Sequence, residues 1–442
     1  MDIYHFPHKT KKSILALGAE SDGNFCFFER DKIYFSEKFG DLLEEKNWQK
    51  YQKAVLEFLK KNKFKPNIIL TDIHPLYLTS AWGEALSKKY KARHVQIQHH
   101  IAHIFSSIGE QFILNTKYQI PNTIYGIATD GTGYGTDEKI WGGEVFQISN
   151  SPTCHSRGGG NPVANCLICK SNFPLHKNSG NSINSRIQRI GHLENQILIG
   201  GDLAVREPAR MLISILDKVI SPSPPGRGWS ALGGPGESKG ELQRKNYIYR
   251  FVKKHYTKNE FELIHNQLKQ NFNCLETSST GRILDAVSLL LGFCGNERKY
   301  KHEPIALLEA NSGKPYADLK PKITLSQGKQ VLSTTFLFEY LVKNLHKDKK
   351  RLATTAQLYI AQGLYEIIKK NIPNTRYKLP NNFIAGGIAN NKIISDYLIS
   401  KGAYASKKIY PVKLSPDKLF NRVPRGDAGL SFGQVIYYLF SQ

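Results

Sequence analysis

Residues 98–143 read QHHIAHIFSSIGEQFILNTKYQIPNTIYGIATDGTGYGTDEKIWGG. The apolar spacing of IAHIFSSIGEQF is helical, so His99 and His103, four residues apart, share one face a turn apart and can close on one metal ion. A strand-like run from Thr123 to Thr129 follows and ends in Asp130, Gly131, Thr132, Gly133, Tyr134 and Gly135. A glycine-spaced loop there lets backbone amides approach phosphate, and the aspartate offers a hard oxygen to a metal bound to that phosphate. Taken singly, a histidine pair is as easily packing and a glycine loop a simple turn. Side by side they point to a metal next to a nucleotide.

Upstream of this stretch the chain has a regular rhythm. SILALGA (Ser13 to Ala19) reads as a strand, Ser21 to Asn24 as a tight turn, and FCFFER and KIYFSEKF as two further strands. Helical spacing runs from Leu42 to Lys63, NIILTDIHP is a buried-type strand, Ser80 to Tyr90 a helix and HVQIQ a strand, before the histidine helix. This β-β-β-α-β-α-β-α order is that of one lobe of the two-lobe actin, sugar-kinase and Hsp70 type of α/β nucleotide-binding fold. The reading places a first lobe at residues 1–120 and a second, with extra helices, at 121–442.

In the second lobe IYGIATD, GGEVFQIS and SRIQRIGHL read as strands, the last two as a hairpin. Two tracts rich in small and breaking residues, 150–184 and 221–240, read as disordered inserts. The first holds Cys154, His155, Cys166, Cys169 and His176; Cys166-Leu-Ile-Cys169 has zinc-knuckle spacing, but no second pair completes it.

Between the inserts GGDLAVREPARM leads from a glycine turn (Gly200, Gly201) into a helix start bearing Asp202, Arg206, Glu207 and Arg210. TSSTGRILDAV sets Arg282 and Asp285 near the start of a capped helix, polar groups fit to hold a sugar or phosphate. In NNFIAGGIANNKIISDYL, Gly386 and Gly387 join a strand to a helix, a form that admits a flat base, with Asn391 at the helix start. Asp427, in PRGDAG before the last helix, either caps that helix or brings a carboxylate to the metal from the opposite lobe.

At 442 residues and 40% hydrophobic, the chain can bury one large or two medium cores. No apolar run approaches a membrane span, the first residues lack a signal-peptide centre, and six cysteines form no disulfide framework, so a cytoplasmic, membrane-free protein is expected. The net charge of +24 is spread along the chain without an aromatic-interleaved basic stripe. It leaves a nucleic-acid partner open without favouring it.

Taken together, QHHIAHI, TDGTGYGTDEKIWGGE, GGDLAVREPARM, TSSTGRILDAV, GGIANN and GDAGLSFGQ, in this order, closely resemble the C-terminal carbamoyltransferase domain of the HypF family, the nickel-iron hydrogenase maturation factor. LALGAE, TDIHPLYLTS and VQIQHHIAHI extend the likeness toward the N-terminus, so it covers nearly the whole chain apart from the inserts. The resemblance implies an actin-like domain related to the tRNA threonylcarbamoyltransferases. Such a domain takes carbamoyl-adenylate, made from carbamoyl phosphate and ATP by another module, and passes the carbamoyl group to the C-terminal cysteine of a HypE-type acceptor.

Carried over by motif, His99, His103, Asp130 and Asp427 would hold a divalent metal: iron, zinc or manganese, with magnesium accompanying the nucleotide. Gly131, Gly133 and Gly135 would lie along the phosphate, Gly281 and Asp285 beside the ribose, and Gly386, Gly387 and Asn391 around the adenosine. Gly201 and Asp202 join the nucleotide-binding set. Three departures stand out: Ile101 where the family commonly has a third consecutive histidine, Gly426 for an asparagine, and Glu303-Pro304 in a stretch that is usually Gly-Gln-Ala. Because the chain begins at the actin-like part, a separately encoded carbamoyl-adenylate-forming module is expected. A tRNA-modifying transferase and a catalytically decayed nucleotide-binding subunit are the alternative readings.

Overall fold

The computed structural model describes residues 1–6, 10–114, 121–149, 187–220, 237–372, 382–405 and 423–442. The first sheet takes strands β1 (Asp2–His5), β2 (Ile14–Ala16), β3 (Cys26–Glu29), β4 (Lys32–Phe35), β5 (Ile68–Asp72) and β6 (Arg93–Ile97), in spatial order β1-β4-β3-β2-β5-β6. Strands β2, β5 and β6 are parallel, and helices α1 (Glu45–Lys61), α2 (Leu78–Tyr90) and α3 (His99–Leu114) connect or follow them. This is the expected order with one strand added. Sequence reading misses β1 because its four residues sit at the sheet edge without a fully buried face to set a pattern.

The second sheet is built on a long hairpin, β7 (Thr123–Tyr134) and β8 (Ile140–Ser149), flanked by β9 (Ile187–Leu193). A short pair, β10 (Gln196–Ile199) and β11 (Cys274–Thr277), touches β8 at one parallel bridge. Strands β12 (Ile323–Ser326), β13 (Lys329–Leu332), β14 (Asn382–Ala385) and β15 (Ala403–Ala405) complete the order β12-β13-β9-β8-β7-β14-β15. The helices are α4 (Asp202–Arg206), α5 (Pro208–Ile220), α6 (Glu237–Val252), α7 (Lys258–Lys269), α8 (Thr280–Leu291), α9 (Glu303–Ala310), α10 (Thr334–Lys343), α11 (Lys349–Asn371), α12 (Lys392–Ser400) and α13 (Leu430–Phe440).

Two sequence expectations change here. The stretch from Gly131 to Tyr134 is not a free loop: β7 runs through it, with its register against β8 shifted between Thr129 and Gly133. Such a bulge re-aims one side chain, and here it falls on Asp130. The tract 221–240 ends in structure, since Glu237–Gly240 belong to α6. The rest of it, like the cysteine- and histidine-bearing tract 150–184, lies outside the described residues. Among the described residues no helix is long and apolar enough to cross a membrane.

The seam between the sheets is made by α3 and α13, which pack on each other. Helix α3 leans on β7 and β14, whereas α13, last in sequence, returns to β2, β3 and β5. Ala102, Ile104, Ile108, Phe432, Val435 and Ile436 are fully buried there in a core shared by both sheets. Each large apolar side chain among them contributes roughly 1.5–3 kcal/mol. Polar contacts fix the entry of α13: Asn24 donates to the Ala428 carbonyl, the Ser431 hydroxyl donates to Asn24 Oδ1 at 2.7 Å, and the Gly18 amide donates to Gln434 Oε1 at 3.0 Å.

A second lock joins β8 to α8. Glu144 is fully buried and accepts from Arg189 Nε, the Ser278 hydroxyl and the amides of Gly142 and Gly143, both at 3.3 Å. Burial opposes its charge, but Arg189 outweighs burial and holds the pKa at about 2, against an ordinary 4.5. The stability this supplies is present above about pH 4.5 and is lost as pH falls toward 2. Glu144→Gln is expected to cost about 3 kcal/mol at neutral pH. The check is the urea midpoint at pH 7 and pH 3, where the wild-type advantage should shrink on acidification.

Candidate metal centre and ligand cavity

Four side chains from distant parts of the chain meet at the seam. The first two turns of α3 supply His99 and His103, the bulge of β7 supplies Asp130, and the short turn Asp427–Gly429 before α13 supplies Asp427. His99 Nε2 lies 3.1 Å from His103 Nε2, 3.2 Å from Asp130 Oδ2 and 3.6 Å from Asp427 Oδ1. His103 Nε2 lies 3.5 Å from Asp130 Oδ2 and 3.4 Å from Asp427 Oδ1. One ligand atom from each of the four lies within 4.8 Å of all the others.

This spacing fits a metal ion. Ligands bonded at about 2.0–2.2 Å to a common centre stand roughly 3.0–3.6 Å apart. Asp130 Oδ2 is buried without a hydrogen-bond partner, while Oδ1 accepts the Gly387 amide at 3.1 Å, which fixes the carboxylate with one oxygen turned to the imidazoles. Burial opposes charge on all four groups, yet their mutual attraction prevails. The pKa values of His99 and His103 are raised, and those of Asp130 and Asp427 lowered. Two imidazoles and two carboxylates suit iron, zinc or manganese alike.

A fifth group escapes sequence reading. Asp72, at the end of β5, is fully buried and its Oδ2 is 2.7 Å from His99 Nδ1. Its Oδ1 accepts the His74 amide at 2.9 Å, so the carboxylate is fixed from its own chain. By holding the proton on Nδ1 it turns the Nε2 lone pair of His99 toward the other three groups. The available signal was the repeated Thr-Asp at a strand end, Thr71-Asp72 in β5 and Thr129-Asp130 in β7. Asp72→Asn is expected to weaken metal affinity 10- to 100-fold. Competition with a chromogenic chelator measures it, and unchanged affinity would refute the orienting role.

The two carboxylates of the cluster line a cavity of about 530 Å³, a size suited to a small ligand. Asp130, Gly131, Thr132, Gly387, Asn391 and Asp427 line it. So do Tyr77, Lys38, Arg282, Arg298, Lys301 and His302, of which only Arg282 is singled out by sequence. Lys301 also donates to Ser21 in the first-sheet turn.

Several sequence-predicted groups do not line this cavity. A Cβ on Gly133 would stand 2.5 Å from His100 Cε1 and 2.8 Å from His99 Cδ2, so this glycine makes room for histidine rings. Gly135 sits beneath Trp141 and Asp137. Gly281 packs on the bulge, where a Cβ would come 2.8 Å from the Gly131 Cα. Gly386, at φ +98°, backs onto the Thr129 carbonyl. Gly201 and the exposed Asp202 begin α4 outside the cavity.

Asp285 meets guanidinium groups through Oδ2, Arg282 Nη1 at 3.0 Å and Arg298 Nη2, while its Oδ1 is buried without a hydrogen-bond partner. Asn391 reaches the wall, but its Oδ1 caps α12 through the Ile394 amide at 3.1 Å and its Nδ2 donates to Gln357 at 2.7 Å. The reason is common to these cases. Local motifs show which residues are special, whereas packing decides toward which neighbour each one faces.

Comparison with known proteins adds to this geometry. Residues 126–160 and 182–434 match the family described as "Carbamoyltransferase, Kae1-like Domain, second subdomain", and residues 9–110 match "HypF Kae1-like domain". The probable carbamoyltransferase HypF of Methanocaldococcus jannaschii is 32% identical over 97% of this chain and 46% of that protein. Carbamoyltransferase HypF of Synechocystis sp. is 25% identical over 69% of this chain and 33% of its own length. This chain therefore spans less than half of each of these two relatives.

Among solved structures, T. kodakarensis HypF matches with a TM-score of 0.73 at 25% identity, covering 99% of this chain and 48% of that one. A full-length HypF in its phosphate- and nucleotide-bound form shares the fold at 20% identity, TM-score 0.73, over 99% of this chain and 47% of that one. By sequence over nearly its whole length and by fold, the chain belongs to the HypF carbamoyltransferase family, in that family's Kae1-like region.

Proposed function

We propose that this domain receives carbamoyl-adenylate in the cavity and transfers the carbamoyl group to the C-terminal cysteine thiolate of a HypE-type acceptor, as a step of nickel-iron hydrogenase maturation. The observation that carries the reading is the convergence of four ligand atoms on one point, with two of them, on Asp130 and Asp427, belonging to residues that line the cavity. Retention of all four at ligand spacing favours an active domain over a decayed one.

In this reading the thiolate sulfur forms a bond to the carbamoyl carbon, the carbon–oxygen bond to phosphate breaks, and adenosine monophosphate leaves with the electron pair. His99, His103, Asp130 and Asp427 would hold a divalent ion, which would supply Lewis-acid neutralisation of the phosphate. Asp72 keeps His99 in the tautomer that faces the site, and the Gly387 amide keeps Asp130 there.

Incubation with synthetic carbamoyl-adenylate and a cysteine-ended peptide tests the proposal by mass spectrometry. A carbamoyl adduct on the peptide sulfur, dependent on the domain, is the expected result. Adenylate consumption without peptide modification, or modification of tRNA instead, would overturn it.

A further inference from the structure

The resemblance places the nucleotide phosphate along Gly131, Gly133 and Gly135, but two of these three glycines face Trp141 and the histidine rings. What stands in the wall next to Gly131 is a pair of arginines. Arg282 and Arg298 are both enclosed, at 5% and 8% side-chain exposure, and share one carboxylate, that of Asp285. Two guanidinium charges share one carboxylate at ion-pair distance, with Glu303 acting on Arg298 from further off, so no second carboxylate pairs directly with them in this buried wall. A charge so placed is costly to bury unless an anion joins it.

The donors can be followed atom by atom. Arg282 Nη1 donates to the Val205 carbonyl at 3.1 Å and pairs with Asp285. Arg298 Nη1 donates to the Lys301 carbonyl at 2.9 Å, and its Nη2 pairs with Asp285. Both Nε atoms are buried without a partner. Arg282 Nη2 has no hydrogen-bond partner among the described residues and lies 3.4 Å from where a Cβ on Gly131 would be. It is thus presented at the cavity wall beside Gly131.

The arginine is also held firmly. Ser279 caps α8 by accepting the Arg282 amide at 3.1 Å, and its hydroxyl donates to the Gly131 carbonyl. These two bonds tie the start of α8 to the β7 bulge, so Arg282 and Asp130 keep a fixed relation. Lys301, paired at 3.8 Å with Asp427, adds a third cation on the same side.

We propose that Arg282, backed by Arg298, is the phosphate-anchoring group of the cavity. It takes an oxyanion, the phosphoryl group of a nucleotide, independently of the metal cluster, and Asp285 serves as the counter-ion that aims the two guanidinium groups. This deepens the nucleotide reading above and rests on it for the identity of the ligand. Arginine suits the task because its planar fork meets a phosphate with paired donors.

The test is calorimetric titration of the full chain, treated with EDTA to remove metal, with adenosine, adenosine monophosphate and inorganic phosphate. In the wild type the monophosphate should bind at least tenfold more tightly than adenosine even without metal. Arg282→Gln should lower monophosphate affinity about 10- to 100-fold and leave adenosine affinity unchanged, with Arg282→Lys between the two. Thermal melts check that each variant is folded, and the wild-type comparison needs no variant.

A monophosphate preference that vanishes with the metal, or that survives in Arg282→Gln, would overturn the proposal. If adenosine binds to no form, it is the nucleotide reading that fails. Inorganic phosphate bound by wild type and not by Arg282→Gln would still bear out the anchoring group, and phosphate bound equally by both, or by neither, would refute it.

Discussion

Replacing His103 with alanine is expected to abolish carbamoyl transfer, by a thousandfold or more, while the protein still folds. His103 is fully buried, but its Nδ1 has no hydrogen-bond partner, so the ring holds nothing together apart from the cluster itself. Its Nε2 stands 3.1–3.5 Å from His99 Nε2, Asp427 Oδ1 and Asp130 Oδ2. Losing it removes one of the four proposed ligands and leaves two carboxylates facing a single imidazole. The cost to stability is on the order of 1–3 kcal/mol, within reach of a folded domain. Loss of positioned charge stabilisation at a reacting phosphate has the larger consequence. Turnover, metal content and the melting curve should be measured on one preparation. Wild-type turnover in a folded His103→Ala protein would refute the ligand assignment.

Gly433→Ala is expected to damage the site from a distance. Gly433 is in α13 where that helix crosses α3, and an added Cβ would fall on the Ala102 carbonyl oxygen, with the Ala102 carbon at 2.8 Å and the Ser106 amide at 2.9 Å. All three atoms are backbone, so no side chain can step aside. The helices must separate, at a cost of about 1–3 kcal/mol or more. Ala102 lies between His99 and His103, and Gly433 lies six residues beyond Asp427, so separating the helices pulls the imidazole pair from one of its carboxylates. Metal affinity should fall at least tenfold along with the melting temperature. Gly240→Ala is the control, because nothing stands within 4 Å of that exposed glycine in α6 and helix propensity favours alanine. Equal behaviour of the two variants would contradict the role given to the helix crossing.

How much of this was legible in the sequence follows from the range of the forces involved. The strands and helices of the first sheet are local patterns of burial, and the reading finds them within a few residues, as with Ile68–Asp72 and Leu78–Tyr90. His99 and His103 are a local pattern too, one turn apart. Asp130 and Asp427 came from motifs. That these four meet depends on α13 returning to the first sheet, which Asn24, Ser431 and Gln434 arrange and which no spacing rule reveals.

Glycine motifs mislead for a related reason. Gly133 and Gly386 are required by a close approach, but to His99 and His100 in one case and to the Thr129 backbone in the other. Sequence shows the need for a missing side chain and not what fills the space. Asn391 is a polar residue of the same kind, flagged as a ligand contact, with hydrogen bonds to Gln357 and a helix cap, and Asp285 gives one carboxylate oxygen to Arg282 and Arg298.

A crystal grown with manganese or zinc and measured at that metal's absorption edge would address the centre most directly. One anomalous peak is predicted about 2.0–2.2 Å from His99 Nε2, His103 Nε2, Asp130 Oδ2 and Asp427 Oδ1 together. A map without a peak among these four side chains, at metal concentrations that restore transfer, would contradict the account.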